Sequence, residues 1–282
     1  MPHISLAAER LWTIGGVPVS NALVTTWLVM GILVILAYIS SRSLRLIPGP
    51  AQSIAEVLIG GLYDFFHSVT GPHIKKFFPL LASLFLFIIT ANWVGLLPGV
   101  GTIGFFREKE PVAAVHVTES AKAMPVPAAV GVAEKEVTPE KEFVPLFRGA
   151  TADFNTTLAL AIIAVVAIQY FGFTTLGFHY STRFVNFKDP IYFVIGILEM
   201  VSELSKVISF AFRLFGNIFA GEVLLTVMAF LMPFLLPLPF ITMELFVGFI
   251  QALVFSMLTA VFLNVAVSHG EEVHGKEVSA HG

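Results

Sequence analysis

Residues 191–232 read IYFVIGILEMVSELSKVISFAFRLFGNIFAGEVLLTVMAFLM, without a proline. At 1.5 Å per residue an unbroken helix of this stretch is about 63 Å long, roughly twice the ~30 Å hydrocarbon core of a bilayer. A second long apolar stretch, 240–268, follows Pro233, Pro237 and Pro239, which together break any helix. Because no proline or Gly-Gly pair interrupts 191–215, steep tilt explains the excess length better than a break. Moving outward, the tracts 22–39, 77–99 and 154–178 carry no Asp, Glu, Lys or Arg, and each is close to the ~20 residues that cross a membrane. The expected fold class is all-α: a polytopic integral membrane protein of one domain, 1–282. Five helices cross the membrane, one amphipathic helix lies at its surface, and the last two crossings form a long, steeply tilted hairpin.

Composition excludes most soluble readings. Of 282 residues, 56% are apolar and 12% charged, against about 25% charged in globular domains. Mean hydropathy is +0.87. Thirteen of the Lys, Arg, Asp and Glu residues crowd between Arg107 and Arg148. A net charge of −3 leaves no basic surface to neutralise phosphates, so no nucleic-acid partner is expected. Without cysteine there are no disulfides, thiolate metal sites or cysteine catalysis. Met1–Ser20 has no basic segment ahead of a small-residue cleavage site and is not expected to be a cleaved signal.

Residues 51–69 are different. Ile54, Val57, Leu58, Gly61, Leu62, Phe65, Phe66 and Val69 recur at spacings of three and four, with Glu56, Asp64 and His67 off that stripe. This is the pattern of an amphipathic helix on the membrane surface or in a groove among helices; a short soluble-type helix packed on a partner fits it as well. Basic residues in short loops face the cytoplasm. Arg42, Arg45, Lys75 and Lys76 flank the amphipathic helix, and Arg183 and Lys188 follow the third span. The N-terminus is then outside and the C-terminus cytoplasmic, with 107–150 a polar external loop expected to be partly disordered. The polar tail 269–282 is expected to be disordered too. His3, His269, His274 and His281 show no ligand spacing, so no metal is expected.

Ionisable residues inside apolar spans cost about 2.5–3.5 kcal/mol each on insertion scales, so each needs a reason. At 100° per residue, Glu199, Ser202, Lys206, Ser209, Asn217 and Ala220 all fall within about 40° of Arg213, while Glu222 points to the opposite side. On the last helix Glu244, Gly248 and Gln251 share one face, and Asn264 lies deeper. A hairpin centred on residue 236 puts Gln251 near the level of Glu222, with Glu244 nearer the outer turn and outside water. Glu222 and Glu244 then lie on the outer side, and Glu199, Glu203 and Lys206 toward the cytoplasm, with Arg213 between. Carboxylates can pass protons on. An arginine cannot, because its pKa stays above about 12. It can block a direct path, or attract a carboxylate carried past it by a moving partner. Gly216, Ala220 and Gly221 keep this face thin enough for close approach. The plain alternative is that Arg213 pairs with Glu199 or Asn217 merely to fix helix packing.

At these residues the sequence resembles the a subunit of the rotary F-type ATP synthase, the stator half of its proton channel. The resemblance centres on Ser209-Phe-Ala-Phe-Arg-Leu-Phe-Gly-Asn-Ile-Phe-Ala-Gly-Glu222, close to the family signature SLxxRLFGN-x-x-AGE. It extends to ELFVGFIQALVFSML (244–258), FFPLLASLFLFIITANWVGLLPG (77–99) and the Asp153-Phe-Asn-Thr-Thr element. It implies that Arg213 is the stator arginine facing rotor-ring carboxylates, and that Glu222, Asn217 and Gln251 line the proton path. Glu244 falls in the outer half-channel and Glu199 on the cytoplasmic side, and Asn92 is expected to make a helix–helix hydrogen bond. Glu203, Lys206, Ser202 and Ser209 are candidates for the cytoplasmic exit. The implied partners are the rotor ring of c subunits, the peripheral-stalk b subunits, the rest of the ATP synthase complex and the lipid of a bacterial inner membrane. No cofactor is implied, and ATP chemistry belongs to partner subunits. Val207 stands where a proline often follows the basic residue, and Glu203, about 80° off the Arg213 stripe, is an extra acid that suits either an exit group or a surface position.

An ion-coupled secondary transporter is the alternative. It would favour inverted repeats and helices broken at the midplane, and neither is visible. A membrane hydrolase would need a nucleophile–base pair, an HExxH motif or a Walker loop, and none is present.

Overall fold

The computed structural model describes residues 9–14, 16–42, 48–108, 141–177, 180, 190–232 and 235–280. Arg45, Arg183, Lys188, Pro233, His3, His281 and the middle of the 107–150 loop lie outside the described residues. Its helices are α1 (Asn21–Arg42), α2 (Pro50–Thr70), α3 (Ile74–Gly95), α4 (Phe154–Leu176), α5 (Pro190–Leu231) and α6 (Pro237–Ala280). Among the described residues, five helical stretches are long and apolar enough to cross a membrane: Asn21–Arg42, Gln52–Gly95, Phe154–Leu176, Phe193–Leu231 and Pro237–Ser268. The second takes in both α2 and α3, joined by the 3-10 turn Gly71–His73.

The helix ends follow local chemistry. Pro50 opens α2, where its missing N–H costs nothing. Gly71, at φ +56°, closes it in a conformation that favours glycine and donates its N–H to the His67 carbonyl. Asp153 caps α4, its carboxylate accepting the Asn155 N–H at 3.3 Å. Pro237 starts α6 after α5 ends at Leu231.

Three details depart from the sequence expectations. Short strands join the helices. Strands β1 (Arg10–Ile14) and β2 (Val17–Ser20) form an antiparallel hairpin through Gly16. After β3 (Pro98–Gly101), β4 (Gly104–Glu108) pairs with β5 (Lys141–Pro145), so both ends of the polar loop are paired backbone. They lie outside the long apolar helices, where edges can meet water. The tail is a continuation of α6 to Ala280 rather than an irregular segment. The α2 stripe is covered only in its second half. Leu62 and Phe66 are buried, whereas Ile54, Val57 and Leu58 are exposed, because the neighbours α3 and α6 reach only the Thr70 end. There the Asn264 Nδ2 donates to the Val69 carbonyl at 3.1 Å.

One core joins α2 to α6: Phe66, Phe77, Leu81, Ile88, Ile168, Phe210, Leu214, Phe255 and Leu263. Lipid tails are as apolar as leucine, so tight van der Waals contact must hold such helices together, and small residues permit it. Ala161, Ala164, Ala211, Ala252 and Ala260 are fully enclosed in that core. Helix α1 packs more lightly, through Asn21, Ala22, Thr25 and Val29.

Buried polar groups then fix which helix faces which. Asn92 on α3 donates from Nδ2 to the Gly248 carbonyl of α6 at 3.1 Å and accepts the Thr151 hydroxyl at 2.7 Å. This is the helix–helix bond expected of it. Replacing Asn92 by alanine leaves the buried Thr151 hydroxyl unpaired, so it should cost about 1–2 kcal/mol. The check is the thermal midpoint of the detergent-solubilised complex, which should fall; an unchanged midpoint would mean the bond contributes nothing.

Candidate functional site

Along α5 and α6 residues meet in an order that runs in opposite chain directions. Glu244 lies against Gly221, Asn217 meets Gln251, Phe210 meets Phe255, and Lys206 meets Phe262. Glu244 and not Gln251 therefore reaches the level of Glu222, which corrects the register expected from a turn at residue 236. The reason is geometric. With α5 ending at Leu231 and α6 starting at Pro237, the connection is centred nearer 234, and moving the centre by one residue moves every partner by two.

At the end nearest this connection, Arg148 reaches Glu222. Its Nη2 donates to Oε2 at 3.3 Å, and Nε stands 3.3 Å from Oε1. The arginine side chain is 8% exposed and that of Glu222 39%. Glu244 is only 6% exposed. Its carboxyl group packs against the Cα of Gly221, in the space that any Cβ there would fill. Gly221 thus belongs to the contact between α5 and α6 and not to the face of Arg213, from which it is turned by about 80°. Of the two acids expected on the outer side, Glu244 is the more enclosed.

About one turn further along, Asn217 Nδ2 donates to Gln251 Oε1 at 2.7 Å. Gln251 is buried, and its Nε2 has no hydrogen-bond partner among the described residues. Then comes Arg213, some 13 Å from Glu222 along the helix axis. It is exposed, and its side chain donates to its own-helix neighbour Ser209, Nη2 to Oγ at 3.4 Å. Among the described residues no carboxylate stands within ion-pair distance of it, so the packing pairs with Glu199 or Asn217 are not formed. Ser202, Ser209, Gly216 and Ala220 are exposed on the same face, and a Cβ at Gly216 would meet nothing within 4 Å.

Toward the other end Lys206 turns off this face. Its Nζ binds Glu203 Oε1 at 2.7 Å and sits 4.7 Å from the centre of the Phe262 ring. Glu203 is buried, which removes the surface reading, and its Oε2 has no hydrogen-bond partner among the described residues. Glu199 is half-buried. No group of three or more His, Cys, Asp or Glu side chains able to hold a metal occurs among the described residues. The chemistry that the described residues offer is proton exchange on carboxylates, hydrogen bonding through amides, and the exposed guanidinium of Arg213 between them.

A family model described as ATP synthase A chain matches residues 23–264. The chain belongs to the ATP synthase A chain family. Curated relatives named ATP synthase subunit a include that of Geotalea uraniireducens, 32% identical over 89% of this chain and 89% of the relative. The protein of Gloeobacter violaceus is 32% identical over 96% of this chain and 94% of its own length. That of Trichlorobacter lovleyi is 31% identical over 90% and 89%. As a member of the ATP synthase A chain family, this is a multi-pass subunit of the F-type ATP synthase membrane sector.

Within that frame the sequence reading missed Arg148 and Thr151. Arg148 was one charge among thirteen in a polar loop, and Thr151 a hydroxyl just after it. The available signal was their closeness to Asp153, which opens the Asp-Phe-Asn-Thr-Thr element at the start of α4. In this ATP synthase A chain member the residues leading from the loop into α4 are buried: Arg148, Ala150, Thr151, Ala152 and Asp153 are all nearly inaccessible.

Proposed function

We propose that this chain is the stator of a rotary proton channel, with two offset half-channels separated by Arg213, and that it couples proton flow to ATP synthesis. The single observation that supports this best is the position of Arg213. It is midway along the 42-residue helix α5, on an exposed face of small and polar residues, without a carboxylate partner among the described residues. An arginine left facing lipid is costly. A partner that slides past and presents its own carboxylate removes that cost once per passage. A ring of c subunits fits that description, and Gly216 and Ala220 let it approach closely.

On this reading Glu222, Glu244, Gln251 and Asn217 line the outer half-channel. Glu203 with Lys206, and Glu199, Ser202 and Ser209, line the cytoplasmic one. The hairpin of α5 and α6 lies steeply tilted, the α2 helix rests its uncovered apolar half in the membrane surface, and peripheral-stalk b subunits hold the chain still against the ring. The N-terminus lies outside a bacterial inner membrane and the C-terminus in the cytoplasm. The chain hydrolyses no ATP by itself.

The test compares Glu222→Gln and Glu244→Gln with wild type in inverted vesicles holding equal amounts of assembled complex. Each substitution keeps volume and hydrogen bonding but removes a group that exchanges protons. ATP-driven acidification should fall about tenfold or more in each. The deeply enclosed Glu244 should matter at least as much as Glu222, because less water can substitute for it. Wild-type acidification in both variants would end the relay role; loss of the subunit from the membrane would make both packing residues.

A further inference from the structure

We propose that Arg148 is the positioning residue for Glu222. It holds that carboxylate against the buried segment 144–153, and so places the outer end of the proton path between that segment, α1 and α5. The inference rests on the relay reading of Glu222.

An arginine at the end of a polar loop is ordinarily a solvated side chain whose ion pairs contribute little. The backbone that carries Arg148 is held from several sides. Its own N–H donates to the Thr25 hydroxyl of α1 at 3.3 Å, and Asn21 Nδ2 of α1 donates to the Pro145 carbonyl at 3.3 Å. The Gly101 N–H donates to the Phe147 carbonyl at 2.9 Å, and the Leu146 N–H to the Ile103 carbonyl at 2.8 Å. Gly149 lies so near Gly95 of α3 that a Cβ on Gly95 would stand 3.3 Å from its Cα. Thr151 is tied to Asn92. The guanidinium is therefore delivered to one place by a fixed frame, and there it meets both carboxylate oxygens of Glu222. One hydrogen bond, Nη2 to Oε2, beside an ion-pair contact through Nε holds that carboxylate at the place the frame dictates.

Direction is what Glu222 requires. It stands about 180° around α5 from Arg213, so its side chain has no natural heading toward the rotor-facing side. Without Arg148 it can swing along the outside of α5, and the chain of exchangeable groups through Glu244 and Gln251 loses its first member. Small misplacements of a proton-handling group are expensive in rate.

The experiment uses the complete ATP synthase in inverted membrane vesicles. Passive proton conduction is read after the catalytic sector is stripped, and normalised to immunoquantified subunit. The variants are Arg148→Ala, Arg148→Lys, Glu222→Gln and the double variant Arg148→Ala/Glu222→Gln. Arg148→Ala should accumulate and conduct about tenfold more slowly. Arg148→Lys, which keeps the charge but loses the fork, should conduct at an intermediate rate. The double variant should be no slower than the slower single one, because without a charged Glu222 there is nothing left to position. Wild-type conduction in Arg148→Ala overturns the proposal, as does a double variant whose loss is the product of the two single losses. If Arg148→Ala fails to accumulate, Arg148→Lys decides: conduction between wild type and Glu222→Gln supports positioning, and wild-type conduction overturns it. Wild-type conduction in Glu222→Gln itself overturns the relay reading and this proposal with it. Impaired Glu222→Gln beside unimpaired Arg148 variants overturns the proposal alone.

Discussion

Replacing Arg213 by alanine should abolish ATP-driven proton pumping while leaving passive proton leak intact or raised. Arg213 is exposed on α5 and its side chain hydrogen-bonds Ser209 of its own helix, so its removal disturbs little internal packing. Two functions should go together. A rotor carboxylate passing this face loses the cation that attracts it, so coupled pumping should fall about a hundredfold or more. The direct route between the half-channels loses its positive barrier, so protons can cross without turning the ring. Lysine restores charge but not the planar, always protonated fork, and should rescue poorly. The measurement compares wild type, Arg213→Ala and Arg213→Lys at equal amounts of assembled complex. ATP-driven acidification is followed in intact vesicles, and leak in vesicles stripped of the catalytic sector. Coupled pumping that survives in Arg213→Ala would end the barrier reading. An unassembled complex would point to packing.

Substitution at Gly221 separates function from stability in a second way. Alanine in a helix interior is favoured over glycine by about 1 kcal/mol, so local propensity predicts a firmer α5. The structure predicts damage, because the new methyl group would occupy the place of the Glu244 carboxyl group. That group is the movable end of a long side chain, so it can be pushed aside without unfolding the helix pair. Gly221→Ala should therefore assemble normally and lose about tenfold or more in coupled pumping. Gly221→Leu cannot be accommodated between α5 and α6, and should leave almost no subunit in the membrane. Membrane content by immunoblot and ATP-driven acidification decide the matter. Normal pumping in Gly221→Ala would show that the Glu244 position is not critical.

How much of this was readable beforehand differs by residue. Hydropathy alone located the membrane helices, because a bilayer demands about 20 apolar residues per crossing whatever the fold. The Arg213 face followed from 100° periodicity, since Ser202, Ser209, Gly216, Asn217 and Ala220 share it by helix geometry. Glu203 was harder. Its angle allowed an exit group or a surface position, and only the packing of α6 showed it enclosed beside Lys206. The register of α5 on α6 was missed by about two residues at its centre, enough to put Glu244 at the level expected for Gln251 and Gln251 at that of Asn217.

The sequence by itself thus determined the class of molecule, its long final helices, the open arginine face and the family signature around it. These depend on local composition, on spacing within one helix and on a contiguous motif. Only the tertiary structure decided the partners. Asn92 meets Gly248 across 156 residues, Asn264 meets Val69 across 195, and Arg148 meets Glu222 across 74. Within lipid one apolar surface attracts another no better than it attracts the lipid, so helical periodicity marks which face is polar but not what it will touch. The choice comes from where small residues such as Gly221 allow close approach and where buried amides, hydroxyls and one loop arginine must be satisfied together. That condition exists only once all the helices are in place.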